Sequence, residues 1–188
     1  DGSSYKGIWR DGKIEGPGVY NFSNGDKYRG SFKDGKLYGR GRLIYNNGLE
    51  YLGEWKDGKK HGRGRIGYRH TSLYQFGSGY YGDSYYGQLK NGMAHGLGKF
   101  FFKNGDKYFG KWKYGKIHGQ GLFIWKDGNM YYGEYKSGVR SGQGTFILRN
   151  GVKFEGSWKN GLRHGKGIYI SPEGEKYENE WFEGKLDS

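Results

Sequence analysis

Four histidines, His61, His95, His118 and His164, each stand in the frame G-x-x-H-G-x-G, spelled GKIHGQG at residues 115–121. An imidazole is the raw material of a metal ligand or a general base, and a glycine-rich turn that of a phosphate cradle. The same frame recurs as GKKHGRG (58–64), GMAHGLG (92–98) and GLRHGKG (161–167), with GKLYGRG (35–41), GKIEGPG (12–18) and GVRSGQG (138–144) as variants. A motif repeated this often demands a repeated structural cause, so the elements that carry it come before any chemistry.

Aligned on the aromatic of Y-x-G, the repeats start at Tyr5, Tyr28, Tyr51, Tyr85, Tyr108, Tyr131, Phe154 and Tyr177, at intervals of 23, 23, 34, 23, 23, 23 and 23 residues. Each unit reads Y-x-G-x-[WF]-K-x-G-x-x-H-G-x-G, followed by an apolar pair two apart. Two short segments of period-two alternation joined by a tight glycine-containing turn are a β-hairpin signature. The clearest pair is 108–113 and 119–125. There Tyr108, Gly110 and Trp112 share one face by parity, as do Gly119, Gly121, Phe123 and Trp125. Glycine in fixed columns leaves room for neighbouring rings and marks geometry, although the chain holds 40 glycines.

These residues resemble the MORN repeat family, most clearly over Tyr51–Gly64, Tyr108–Gly121 and Phe154–Gly167. The match is weakest at Tyr177, where Asn179 replaces the first glycine, and within 69–84, where eleven extra residues break the period. The expected fold is all-β: an elongated single-sheet solenoid of consecutive antiparallel hairpins, one array over 1–188. Asp1-Gly2 aligns with the end of a preceding unit, and Tyr177 onward is half a unit, so the chain is read as a fragment of a longer array. The insertion, with Tyr74, Phe76, Tyr80 and Tyr81, is either a partner contact or a degenerate hairpin or bend.

On hairpins, histidines of one column lie about 9.6 Å apart, two strand spacings, whereas zinc needs each ligand nitrogen within about 2.1 Å. No Asp or Glu recurs beside them and cysteine is absent, which excludes thiolate sites and disulfides. An intermolecular metal site at a dimer contact is the remaining alternative. The histidine is therefore read as structural, at the turn before the second strand. The frame also lacks the Lys-Ser/Thr ending and strand-to-helix setting of a nucleotide loop. With no nucleophile–base pair, paired acid or cofactor motif, the chain is read as non-enzymatic, with no catalytic residue, metal, cofactor or small-molecule substrate.

Individuality sits on the other sheet face. In the first half it is basic, with Lys6, Arg10, Arg29, Lys33, Arg40, Arg42, Lys56, Arg63 and Arg65 on that parity. In the second half it turns apolar, with Tyr86, Phe109 and Tyr132 in one column and Phe101, Ile124, Ile147 and Ile170 in another. The apolar stripe (Tyr86, Phe101, Phe109, Ile124, Tyr132, Ile147, Ile170) is the candidate site for a protein partner or a second copy. A β-propensity role for the same residues is the plain alternative.

The resemblance implies an interaction scaffold, in cytoskeletal or membrane-associated assemblies. A net charge of +13 favours acidic partners, and the second reading is anionic phospholipid recognition through Arg29, Lys33, Arg40, Arg42, Lys56, Arg63 and Arg65. A regulatory array within a larger enzyme is a third. Nucleic acid is the weakest partner, since the aromatics belong to the repeat frame. No apolar run approaches the roughly 18 residues of a membrane span, and no signal-peptide pattern opens the chain. The expected location is cytoplasmic, with association to cytoskeleton or membrane.

Overall fold

The computed structural model describes residues 2–69 and 80–186. Among these there is no helix. The strands pair as hairpins: β1 (Ser4–Arg10) with β2 (Lys13–Asn21), β3 (Lys27–Lys33) with β4 (Lys36–Ile44), β5 (Leu49–Lys56) with β6 (Lys59–Arg69), and β7 (Tyr80–Lys90) with β8 (Met93–Phe101). The series continues with β9 (Lys107–Lys113) and β10 (Lys116–Ile124), β11 (Met130–Lys136) and β12 (Val139–Ile147), β13 (Lys153–Lys159) and β14 (Leu162–Ile170), and β15 (Lys176–Phe182) and β16 (Lys185–Leu186). Strands follow sequence order in one open antiparallel sheet. The chain divides into two compact units, residues 1–95 and 96–188. Within the insertion, β6 runs on to Arg69 and β7 starts at Tyr80, with Arg69 opposite Tyr80 and Tyr68 opposite Tyr81. Tyr74 and Phe76 lie outside the described residues.

Each hairpin turns through two residues with positive φ, such as Asp34 (49°) and Gly35 (75°) in unit 1 or Tyr114 (48°) and Gly115 (79°) in unit 2. That is the type I′ turn, whose twist matches the flanking strands and which selects Asn-Gly or Asp-Gly. Turn glycines also tie hairpins to the ones before. Gly35 N donates to Ile14 O at 3.0 Å, Gly58 N to Leu37 O at 2.9 Å, and Gly138 N to Ile117 O at 2.8 Å. On the opposite edge, Asn46 N donates to Asp26 Oδ1 at 2.9 Å and Lys126 N to Asp106 Oδ1 at 2.8 Å.

With no second layer over the sheet among the described residues, the core is a line of rings on one face. Tyr28, Tyr51, Tyr108 and Tyr131 are fully buried. Each lies across the two glycines of its own hairpin: a Cβ on Gly121 would strike Cε2 and Cζ of Tyr108 at 2.5 and 2.6 Å. The glycine columns are thus the floor of the core, and the tyrosine phenol closes it by donating to a backbone carbonyl, as Tyr108 does to Lys111 O at 3.0 Å. In unit 2 the rings meet edge to face, Tyr108 with Trp112 (5.3 Å) and Tyr135 (5.7 Å), then Tyr131 with Trp158 (5.1 Å). Unit 1 repeats this with Tyr28, Phe32 and Trp55. Edge-to-face is the arrangement ring quadrupoles prefer.

Two expectations of local geometry need correction. His118 lies inside β10, not in the turn, because the turn is already complete at Tyr114-Gly115. Gly119 and Gly121 do not share a face: a β-bulge intervenes, with Ile117 opposite Trp112 and Gly121 opposite Gly110. A Cβ on Gly119 (φ 69°) would meet the Lys111 side chain, on the face away from Tyr108. An extra residue resets the strand's parity, and a positive φ is how glycine accommodates it.

Candidate functional site

The bulge explains the histidine column. In unit 2, His118 Nδ1 accepts a hydrogen bond from Ser137 N, a residue of the next hairpin's turn, at 3.4 Å. Glu15, the variant in the same column, does likewise for Asp34 N through Oε2 at 3.0 Å. A role shared by imidazole and carboxylate requires only an acceptor, so at His118 and Glu15 the column caps a turn. The buried Nδ1 of His164, by contrast, finds no hydrogen-bond partner among the described residues, and its ring lies 5.4 Å from that of Phe182. Among the described residues no group of three or more His, Cys, Asp or Glu is placed to hold a metal ion.

On the face away from the rings, the register of unit 2 assembles two adjacent rows. One runs Lys99, Phe109, Leu122, Tyr132, Thr145, Glu155, Ile168 and Glu178. The other runs Phe101, Lys107, Ile124, Met130, Ile147, Lys153, Ile170 and Lys176. Six of the seven stripe residues thus fall in neighbouring rows, and Tyr86 lies in unit 1 opposite Arg65. Phe101 and Phe109 pack at 5.9 Å, and Tyr132 is 57% exposed. Leu122, Met130 and Ile168 belong to the same band and were missed from sequence. The alternation that gave Ile124 and Tyr132 would have found them had both strands been followed through the register.

In unit 1 the corresponding row reads Lys6, Val19, Arg29, Arg42, Leu52, Arg65 and Tyr86. Arg29 and Arg42 are direct cross-strand partners, a costly placement for like charges. The guanidinium of Arg42 is held by Glu50 at 2.6 Å, and Glu50 is buried. Arg40 stands opposite Glu54, and the Arg63 backbone N–H donates to the Glu54 carboxylate at 3.2 Å. Lys33 Nζ rests 5.3 Å above the Tyr38 ring near the turn, while Lys56 is exposed at the next hairpin end, opposite Lys59.

Burial leaves a mark on the ring face. The phenols of Tyr28, Tyr85 and Tyr131 are pushed up to about 12 by desolvation. Tyr51, Tyr108 and Tyr135 are raised further by the same cause. These groups are neutral packing elements at ordinary pH.

Hairpins of fixed length, ring-on-glycine packing and a turn-capping column define a repeat protein. The MORN repeat model matches residues 5–27, 28–50, 51–69, 85–107, 108–130, 131–153 and 154–176, and the chain belongs to this family. A search of curated proteins returned no match. Among solved structures, the chain is similar to the TCP domain of SAS-4 (dCPAP) from Drosophila melanogaster, solved in complex with a proline-rich motif of Ana2. That match has 13% identity and a TM-score of 0.52, covering 88% of this chain and 84% of the other. The G-box domain of the microcephaly protein CPAP is also similar, at 11% identity and a TM-score of 0.47, covering 88% and 87%. At such identity the likeness is one of fold.

Proposed function

We propose that this chain is a non-enzymatic protein-interaction scaffold that takes a partner on the sheet face away from its rings in unit 2. The observation that carries this reading is the two-row band of half-buried and exposed side chains, Phe101, Phe109, Leu122, Ile124, Tyr132, Ile147 and Ile168. Nothing in the repeat frame requires them, since the rings and glycines on the other face already supply the core. Apolar side chains gathered in two adjacent rows, with Lys107, Lys153 and Glu155 among them, are costly to leave in water and mark a docking surface with a polar margin. The Drosophila domain of similar fold carries a partner's peptide, which supports the same use of this array, in a cytoskeletal or membrane-associated assembly. Anionic lipid is the second reading, favoured by Arg29, Arg40 and Arg63 exposed on one face of unit 1. Arg42, committed to Glu50, adds little to it.

The test is partner capture from lysate with the parent and with Phe109→Ser/Tyr132→Ser. Loss of two interface anchors weakens binding by about 2 kcal/mol or more, while the melting temperature stays close to the parent's. Undiminished capture and self-association by the double variant would refute the assignment. Sedimentation with acidic vesicles at rising salt then tests the basic half.

A further inference from the structure

The ring face of unit 2 carries a feature that neither the repeat frame nor the docking band uses. The position before the histidine column is apolar at Ile14, Leu37, Ala94 and Ile117 and a lysine at Lys60, yet it is arginine in two successive repeats, Arg140 and Arg163. Both stay on the ring face, with Arg140 opposite Tyr135 and Arg163 opposite Trp158. The guanidinium carbon of Arg140 lies 4.4 Å from the Trp158 ring centroid, and that of Arg163 lies 4.7 Å from Phe154. Arg140 Nη2 also donates to Gly161 O at 2.9 Å, which fixes the fork against the next turn.

Both arginines line one cavity of about 260 Å³, with Phe146, Trp158 and Leu162 on its walls. No carboxylate among the described residues lies within ion-pair distance of either: the ion pairs seen are Lys13 with Asp34 and Arg42 with Glu50. Two half-buried like charges in one cavity repel. Burial, with Arg163 adding to it, lowers the affinity of Arg140 for its proton. Ile14, Leu37, Ala94 and Ile117 fill this position without charge, and Lys60 brings a single cation over Tyr45 and Tyr51, so packing alone does not account for two guanidiniums in one cavity. Ring stacking occupies the flat faces of a guanidinium and leaves its in-plane donors, which suit a carboxylate or phosphate bidentately.

We propose that Arg140 and Arg163 form a two-guanidinium site for an oxyanion carried on the side chain of a bound segment, a carboxylate or a phosphate. The site lies on the opposite sheet face from the apolar band and shares no residue with it, so either assignment stands or falls alone.

The experiment follows the arginine Nε–H resonances of ¹⁵N-arginine-labelled protein. The probes are the N-acetyl amides of glutamate and of phosphoserine, with N-acetylserine amide as the neutral control. Saturable shifts are expected at Arg140 and Arg163, at least about tenfold tighter than at exposed Arg29 and Arg149, and none with the control. The tighter of the two anions identifies the source. Arg140→Ile and Arg163→Leu restore residues that other repeats carry in this column, so the fold is kept. Each should weaken binding at the remaining arginine by about tenfold or more. Shifts that rise linearly in step with Arg29 and Arg149 overturn the proposal. Undiminished saturable binding at the remaining arginine in both single variants does so too.

Discussion

Replacing Gly121 with alanine adds a single methyl group and should be among the costliest small changes this fold can suffer. The new carbon would sit 2.5 Å from Cε2 and 2.6 Å from Cζ of Tyr108, where carbon contacts are optimal near 3.5–4.0 Å. The ring must therefore retreat by about 1 Å. It has nowhere to go, since Trp112 and Tyr135 meet it edge to face and its hydroxyl is anchored on Lys111 O. Overpacking costs about 1–3 kcal/mol, and losing the phenol's hydrogen bond adds about 1 kcal/mol. The expected loss is about 2–4 kcal/mol, a fall in melting temperature on the order of 5–15 °C for a chain of this size. The cause is isolated by a double-mutant cycle with Tyr108→Ala, read by urea unfolding with circular dichroism and tryptophan fluorescence in parallel. Coincidence of the two probes establishes that a single free energy is defined, which repeat arrays do not guarantee. Tyr108→Ala alone costs about 3–5 kcal/mol. In that background the ring that the methyl strikes is gone, so a coupling of about 1.5 kcal/mol or more is expected. Additivity within about 0.5 kcal/mol would show that the glycine columns are not the floor beneath the rings.

His118→Ala removes a long hydrogen bond to Ser137 N and should cost at most about 1 kcal/mol, with identical metal content in parent and variant by elemental analysis. Loss of a stoichiometric metal would overturn the turn-capping role. The buried phenols make the fold sensitive to alkali. Their folded pKa values lie above the unfolded value near 10, so this stabilisation is intact below about pH 10 and is lost as pH rises towards 12. Tyrosinate absorbance from these residues should rise together with loss of the circular dichroism signal. Reversible ionisation of the full tyrosine complement with the sheet intact would contradict the burial of Tyr28, Tyr85 and Tyr131.

Strand alternation made much of this fold readable. Tyr108, Gly110 and Trp112 alternate without a break, and β9 follows them, so the ring face could be assigned residue by residue. The second strand was harder because parity does not survive a bulge. Nothing about Gly119 in one sequence tells a left-handed glycine from an extended one, and its side of the sheet follows from φ alone. Phe109, Ile124 and Tyr132 were found because each is the neighbour of a framework ring. Leu122 and Met130 share the parity of Ile124 and Tyr132 in their own strands, and the cross-strand register makes them companions. Arg140 and Arg163 escaped for another reason. They read as ordinary surface cations, and the signal that they are not, the switch from Ile14, Leu37 and Ile117 in the same column, shows its meaning only once that column is known to face the rings.

The bond from a turn glycine to the preceding hairpin persists where the period breaks. Gly92 N donates to Lys60 O at 2.8 Å across the longer interval, as Gly58 N does to Leu37 O at 2.9 Å across the ordinary one. Added length is thus absorbed on the connecting-loop edge, while the turn edge keeps its stitch. For an engineer or for evolution, the two margins of the array are not equivalent. The loop margin is a grafting site, where a peptide epitope or a small domain could be spliced between repeats without changing how the next hairpin seats. The turn margin tolerates no such splice, because a longer turn would carry its glycine away from the carbonyl that aligns it.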